Sequence, residues 1–228
     1  MIFERKIEKV LRQWQLQEQP KPLLLRGARQ VGKSTLVRKF GKSFKYYIEL
    51  NLEKSDDIKF FNSYGDNVKN ILDAILLEKN LPKNLEQTLL FIDEIQESPE
   101  AIKLLRYFYE ELPNIRVIAA GSLLEFAMSK VKSFPVGRVL QIAIHPMDFE
   151  EFLMAFGQDQ ALEYFNTIPL PDFAYPKLLS LFHEYTRIGG MPEAIKYYIQ
   201  NENSLVGLQD IYSSIWDNYL DDVEKYTS

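Results

Sequence analysis

The sequence contains no cysteine in 228 residues. That absence excludes disulfides, thiolate metal sites and cysteine nucleophiles together, and it fits a reducing compartment. Histidine occurs only at His145 and His183, so no multi-histidine metal centre is expected. Long apolar runs are also missing. The longest are strand-sized, short of the ~20 residues that span a bilayer, and Met1-Ile2-Phe3-Glu4-Arg5 has no secretory character. A cytoplasmic protein without membrane partners is the expectation. Positive charge is in deficit as well: 27 Lys and Arg against 32 Asp and Glu leave a net charge of −5, with a pI near 5.3. That is the wrong sign for a nucleic-acid footprint. The basic cluster Lys33, Arg38, Lys39, Lys42 and Lys45 reads as a solvated helix face.

What is present is a globular pattern, with 46% hydrophobic residues spread along the chain and no repeat. Phe3, Ile7, Val10, Leu11 and Trp14 recur at helical spacing, predicting a helix over 3–19 that Pro20 and Pro22 stop. Five apolar strands follow, at Leu23-Leu24-Leu25, 46–50, 89–92, 115–120 and 139–144. Helices over 33–40, 67–79, 99–110 and 123–131 alternate with them. Such alternation implies an α/β fold with a mainly parallel five-stranded sheet covered on both faces. After Pro146 the strands cease, and helices are expected over 148–156, 175–188, 193–200 and 205–226. The expected division is therefore an α/β core over 1–146 and a small helical subdomain over 147–228. The last helix has no Gly or Pro stop, so a chain truncated at its C-terminal end is expected, with fraying at a natural terminus as the alternative.

The segment Gly27-Ala28-Arg29-Gln30-Val31-Gly32-Lys33-Ser34 matches the phosphate-loop pattern G-x-x-x-x-G-K-[ST] between a strand and a helix. Its glycines let backbone N–H groups converge on a phosphate, and the helix that follows presents its positive end. Lys33 is expected to reach the β- and γ-phosphates and Ser34 to hold Mg²⁺, with Thr35 beside it in the nucleotide-binding set. Chance produces this pattern about once in a hundred chains of this size.

Leu90-Phe91-Ile92 delivers Asp93-Glu94 at a strand end, the edge that faces the ligand in open α/β sheets. Asp93 is the expected magnesium ligand, and Glu94 the group that orients or deprotonates the attacking water. Ser122 reads two ways, as a γ-phosphate sensor or as the cap in Ser122-Leu123-Leu124-Glu125. Arg138, after Gly137, is a candidate for neutralising charge during phosphoryl transfer, on its own nucleotide or a neighbour's. Gly189-Gly190-Met191-Pro192-Glu193 is a sharp turn between helices, read either as a turn alone or as a nucleotide-facing hinge.

Together these motifs resemble a family of bacterial and archaeal AAA-superfamily ATPases related to the regulatory STAND ATPases. The resemblance rests on Gly27 to Ser34, Phe91-Ile92-Asp93-Glu94-Ile95-Gln96, Gly121-Ser122 and Phe134-Pro135-Val136-Gly137-Arg138. It continues through Pro146-Met147-Asp148-Phe149-Glu150-Glu151-Phe152 and Gly189 to Glu193. It implies ATP with Mg²⁺ as the ligand, Asp93 and Glu94 as the Walker B pair, Ser122 as the first sensor and Arg138 as the phosphate-directed arginine. It also implies that Pro192 packs against the nucleotide from the lid. Full-length relatives usually continue into a domain resembling restriction endonucleases, so nucleic acid is expected as a partner only through such a domain. Other expected partners are a second copy of the chain or another protein. Two activities follow as expectations, slow Mg-ATP hydrolysis that moves the lid, or an ATP-held switch with little turnover. A small-molecule kinase is a weaker third, because the helical half shows no acceptor site.

Overall fold

A computed structural model describes residues 1–83, 85–122, 124 and 137–227. In chain order the elements are α1 (Ile7–Gln15), β1 (Leu23–Arg26), α2 (Lys33–Gly41), β2 (Tyr46–Asn51), α3 (Ser55–Ser63), α4 (Val68–Glu78) and β3 (Thr88–Asp93). A 3-10 turn (Ile95–Glu97), α5 (Pro99–Glu111), β4 (Ile115–Gly121) and β5 (Leu140–Ala143) follow. The remaining elements are helical: α6 (Phe149–Ala155), α7 (Asp159–Phe165), α8 (Tyr175–Ile188), α9 (Pro192–Gln200) and α10 (Leu208–Thr227). The helix expected over 123–131 and the segment Phe134 to Val136 lie outside the described residues.

The five strands form one sheet in the order β2-β3-β4-β1-β5, and every pairing is parallel. Parallel strands need crossover connections, which place helices on the sheet faces. The burial follows the strand period of two. Leu24, Ile48, Leu50, Leu90, Ile92, Val117 and Ala119 join one cluster with Phe61, Ile71, Ile75, Leu105 and Phe108 from α3, α4 and α5. The intervening Leu23, Leu25, Leu89, Phe91 and Ile118 are buried too. A two-faced burial explains why these strands read as continuous apolar runs rather than alternating ones.

Two compact units result: Lys9–Ala28 with Lys33–Ile144 hold the sheet, and Met1–Glu8, Arg29–Gly32 and His145–Ser228 form the helical unit. Inside the helical unit Phe149 meets Phe165 and Phe182 edge-on, each at 5.3 Å between ring centroids. Phe152 meets Phe156 at 4.3 Å and Tyr185 at 5.4 Å. The turn Gly189-Gly190 is shaped by contact. Met147 N donates to Gly190 O at 2.7 Å, and a β-carbon on Gly190 would collide with the Met147 carbonyl.

Three expectations shift. The first helix spans Ile7–Gln15 rather than 3–19, because side chains claim the amides ahead of it. Arg5 N donates to Glu8 Oε1 at 3.0 Å and Lys6 N to Glu151 Oε1 at 2.8 Å. Helices α3 and α7 were not expected, since each is short and polar and Phe60-Phe61 or Tyr164-Phe165 gives little periodicity. Phe108 lies 1% exposed in α5, away from the sheet's functional edge. Phe108→Ala should cost about 3–5 kcal/mol, read as a lower urea midpoint with an unchanged slope.

Candidate functional site

Parallel pairing brings the C-terminal ends of the strands to one edge. Arg26 stands beside Gly121 and Asn51 beside Asp93. The residues that follow, Gly27-Ala28, Glu94 and Ser122, therefore emerge on the edge where open α/β sheets bind ligands.

At that edge Lys33 opens α2 and is only 7% exposed. Its ammonium donates to the carbonyls of Gly27 and Ala28, each at 2.9 Å. A buried ammonium makes stronger hydrogen bonds to anionic oxygens than to neutral carbonyls. The first turn of α2 directs its backbone N–H groups, and the positive end of its dipole, toward the same place. The loop tip, Arg29–Gly32, belongs to the helical unit. Gln30 and Gly32 adopt positive φ, 63° and 93°. Within that unit a β-carbon on Gly32 would stand 3.7 Å from Pro192 Cγ and 3.7 Å from Arg5 Nη1. The structure thus brings Pro192 to the phosphate loop, while Thr35 is exposed on α2.

The acidic pair is held differently at its two positions. Asp93 is 4% exposed. Burial pushes its carboxyl above the usual range, against a hydrogen bond from Ser34 that acts the other way, while the nearby Glu94 charge adds to the rise. Glu94 takes a left-handed backbone, φ 52° and ψ 45°. Its Oε2 accepts from Gln96 Nε2 at 2.6 Å. Gln96 is buried and its Oε1 has no hydrogen-bond partner among the described residues. That oxygen fills the space a β-carbon on Gly121 would need. The adjacent Ser122 Oγ is likewise buried without a hydrogen-bond partner among the described residues. The capping alternative for Ser122 rests on Leu123 and Glu125, outside the described residues.

Arg138 lies elsewhere. It precedes β5, whose first residue Leu140 pairs with Leu23 at the start of β1. Its Nε pairs with Glu110 Oε1 at 2.9 Å, and its side chain is 51% exposed. In the core unit this is the sheet edge opposite the phosphate loop.

Two further residues belong to the site. Gln96 restrains Glu94, as above. Arg38 forks onto Glu49, with Nε at 3.0 and 3.1 Å and Nη2 at 2.6 Å, and its Nη2 stands 3.8 Å from Asp93 Oδ2. Burial pushes Glu49 up, but the bonds from Arg38 and Tyr47 prevail and leave it below the usual carboxylate range. A signal for Arg38 existed: it lies four residues after Ser34, on the same helix face. Gln96 had no such signal beyond its place in the motif, because the left-handed turn at Glu94 is invisible in the sequence.

Ser34 and Asp93 together offer oxygen donors only, the set a small hard cation takes when phosphate and water complete its shell. Among the described residues no group of three or more His, Cys, Asp or Glu could hold a metal unaided. Also among them, no helix is long and apolar enough to cross a membrane.

A parallel sheet with a lysine-bearing phosphate loop after its first strand and an acidic pair after β3 defines a P-loop nucleotide-binding protein. The chain belongs to a family of AAA domains, whose model matches residues 19–153. It is also similar to an "Uncharacterized protein" of Haemophilus influenzae, 23% identical over 176 residues, covering 75% of this chain and 40% of that protein. The chain therefore spans less than half the length of that curated relative.

The buried acid gives a stability prediction with a definite sign. A carboxyl whose folded pKa is raised favours its protonated form in the fold. Its ionisation therefore weakens the fold as pH rises from the unfolded value near 3.9 through the raised folded value. Asp93→Asn should be more stable than the parent at pH 7, and the gain should shrink as pH falls through that window. Urea midpoints at pH 7 and pH 4 check this; a gain that grows toward acid would contradict the assignment.

Proposed function

We propose that the chain is a magnesium-dependent ATPase whose nucleotide state moves the helical unit. The observation that carries this is the buried Lys33 ammonium, which donates to the loop carbonyls of Gly27 and Ala28 at 2.9 Å, next in sequence to the Ser34 that bonds Asp93. On binding, Lys33 exchanges those carbonyls for the β- and γ-phosphate oxygens of ATP, and the amides from Gly27 to Ser34 bond the same phosphates. Ser34 and Asp93 would hold Mg²⁺, which when bound would supply positive charge beside the phosphates. Glu94, oriented by Gln96, aligns the attacking water and takes its proton. Ser122, which follows β4 with its Oγ buried, is assigned to the γ-phosphate or the attacking water, and Thr35 completes the cradle. Arg138, at the far edge of its own sheet, is assigned to the nucleotide of a neighbouring copy. Pro192 abuts Gly32 and transmits loop occupancy to the helices. The relation to STAND ATPases, the cytoplasmic location and a nuclease-like output domain in the whole protein belong to the same proposal.

A second reading, an ATP-held switch with little turnover, is favoured by one observation. The Glu94 carboxylate is already engaged by Gln96 at 2.6 Å, and a base held by an amide is slow to accept a proton. Phosphate release per chain separates the readings. Rapid multiple turnover, abolished in Glu94→Gln, supports the ATPase; a rate no higher than the Glu94→Gln blank supports the switch. A rate per chain that climbs with protein concentration and is lost in Arg138→Ala supports donation between copies.

Both readings require nucleotide binding. Saturating Mg-ATP at a hundredfold excess over Kd should stabilise the chain by about 2.7 kcal/mol, seen as a rise in Tm. Lys33→Ala should remove most of that rise, and an unchanged rise would overturn the role of Lys33.

A further inference from the structure

The tip of the phosphate loop is gripped from outside by residues at opposite ends of the chain. Arg5 Nη1 donates to Val31 O at 3.0 Å, and Arg5 Nη2 donates to His145 O at 2.7 Å. Its Nε stands 3.0 Å from Glu151 Oε1, and the two side chains are only 9% and 6% exposed. Tyr219 of α10 donates from its hydroxyl to Arg29 O at 3.3 Å. All these residues lie in the helical unit.

Glu151 is itself fixed. It completes a capping box with Asp148, whose Oδ1 accepts from Glu151 N at 3.0 Å. It also accepts from Lys6 N at 2.8 Å, and Lys6 Nζ pairs with Asp148 and Glu150. The guanidinium is thus a rigid fork seated on the start of α6, not a mobile surface arginine.

A trans peptide points its C=O and the next residue's N–H in opposite directions within one plane. A bond to Val31 O therefore fixes where Gly32 N–H points, and a bond to Arg29 O does the same for Gln30 N–H. Both carbonyls are held by donors outside the loop, so both amides point away from those donors. Gln30 follows the first held plane and Gly32 the second, and both have positive φ.

We infer that Arg5 and Tyr219 are positioning residues of the nucleotide site: they aim the Gly32 and Gln30 amides at the bound phosphate and tie loop occupancy to α6 and α10. This rests on the phosphate-binding role of the loop. By linkage, whatever tightens the grip tightens nucleotide binding, and bound nucleotide stabilises the grip by the same factor.

The test compares the parent chain with Arg5→Met, Arg5→Lys, Tyr219→Phe and the double variant Arg5→Met with Glu151→Gln. The double variant avoids leaving Glu151 as an unpaired buried charge, and Tyr219→Phe removes a single hydroxyl, so the test survives if Arg5→Met does not fold. Mg-ATP and Mg-ADP affinities are measured by calorimetry, and amide exchange at Gln30 and Gly32 by NMR in nucleotide-free protein. Loss of the charged donor should weaken both nucleotides about tenfold, and loss of the hydroxyl about threefold. Arg5→Lys should recover part of the loss, and KM should rise by a larger factor than kcat falls. The Gly32 amide should exchange faster without Arg5, and the Gln30 amide faster without Tyr219. Folded variants with affinities within twofold of the parent and unchanged exchange would overturn the inference. If the parent itself binds no nucleotide, the ATPase proposal fails, whereas the exchange rates still decide whether the grip orders the loop.

Discussion

Parallel strand pairing is the constraint on which the core depends. Because β1, β3 and β4 run in one direction and pair in register, Arg26 abuts Gly121 and the residues after each strand share one edge. Antiparallel insertion of a single strand would remove either the phosphate loop or the acidic pair from that edge. The same constraint sends Arg138, before β5, to the opposite edge, where Glu110 at the end of α5 receives it. The geometry of the site is thus a property of topology first and of side chains second.

Charge at the functional edge is concentrated in one buried lysine and one buried carboxylate, each held by hydrogen bonds. Lys33 has neutral carbonyl partners, whereas Asp93 sits within reach of Ser34 and 3.8 Å from Arg38. The Arg38–Glu49–Tyr47 group closes the side of this arrangement with exposed and half-buried partners.

Much of the core was legible in the chain because local signals and tertiary context agree there. Leu89 to Ile92 is apolar without interruption since both sheet faces are covered, and the P-loop spacing carries its own turn chemistry. The motif from Pro146 to Phe152 was legible as a resemblance but not as a mechanism. Nothing in its spacing announces that Glu151 receives an arginine 146 residues upstream. The short N-terminal helix was misjudged for the same reason: Arg5 and Lys6 are held by long-range bonds that outweigh helical periodicity. Gln96 escaped because its part depends on a left-handed backbone at Glu94, which composition does not signal. The missed helices α3 and α7 are short and weakly periodic, whereas at the site sequence reasoning falls short through distant contact or unusual backbone.

The left-handed backbone of Glu94 has an evolutionary consequence. A non-glycine residue at φ 52° holds a conformation that costs on the order of 1 kcal/mol. Glycine would relax that backbone while deleting the carboxylate, and an apolar side chain in place of Gln96 would bury no orphaned oxygen. Selection for heat tolerance alone would therefore erode these two positions early, through changes that look beneficial in any assay of folding. Libraries screened only for thermal survival should enrich chains that have lost the Glu94–Gln96 pair, which makes this turn a natural marker of selection for endurance alone.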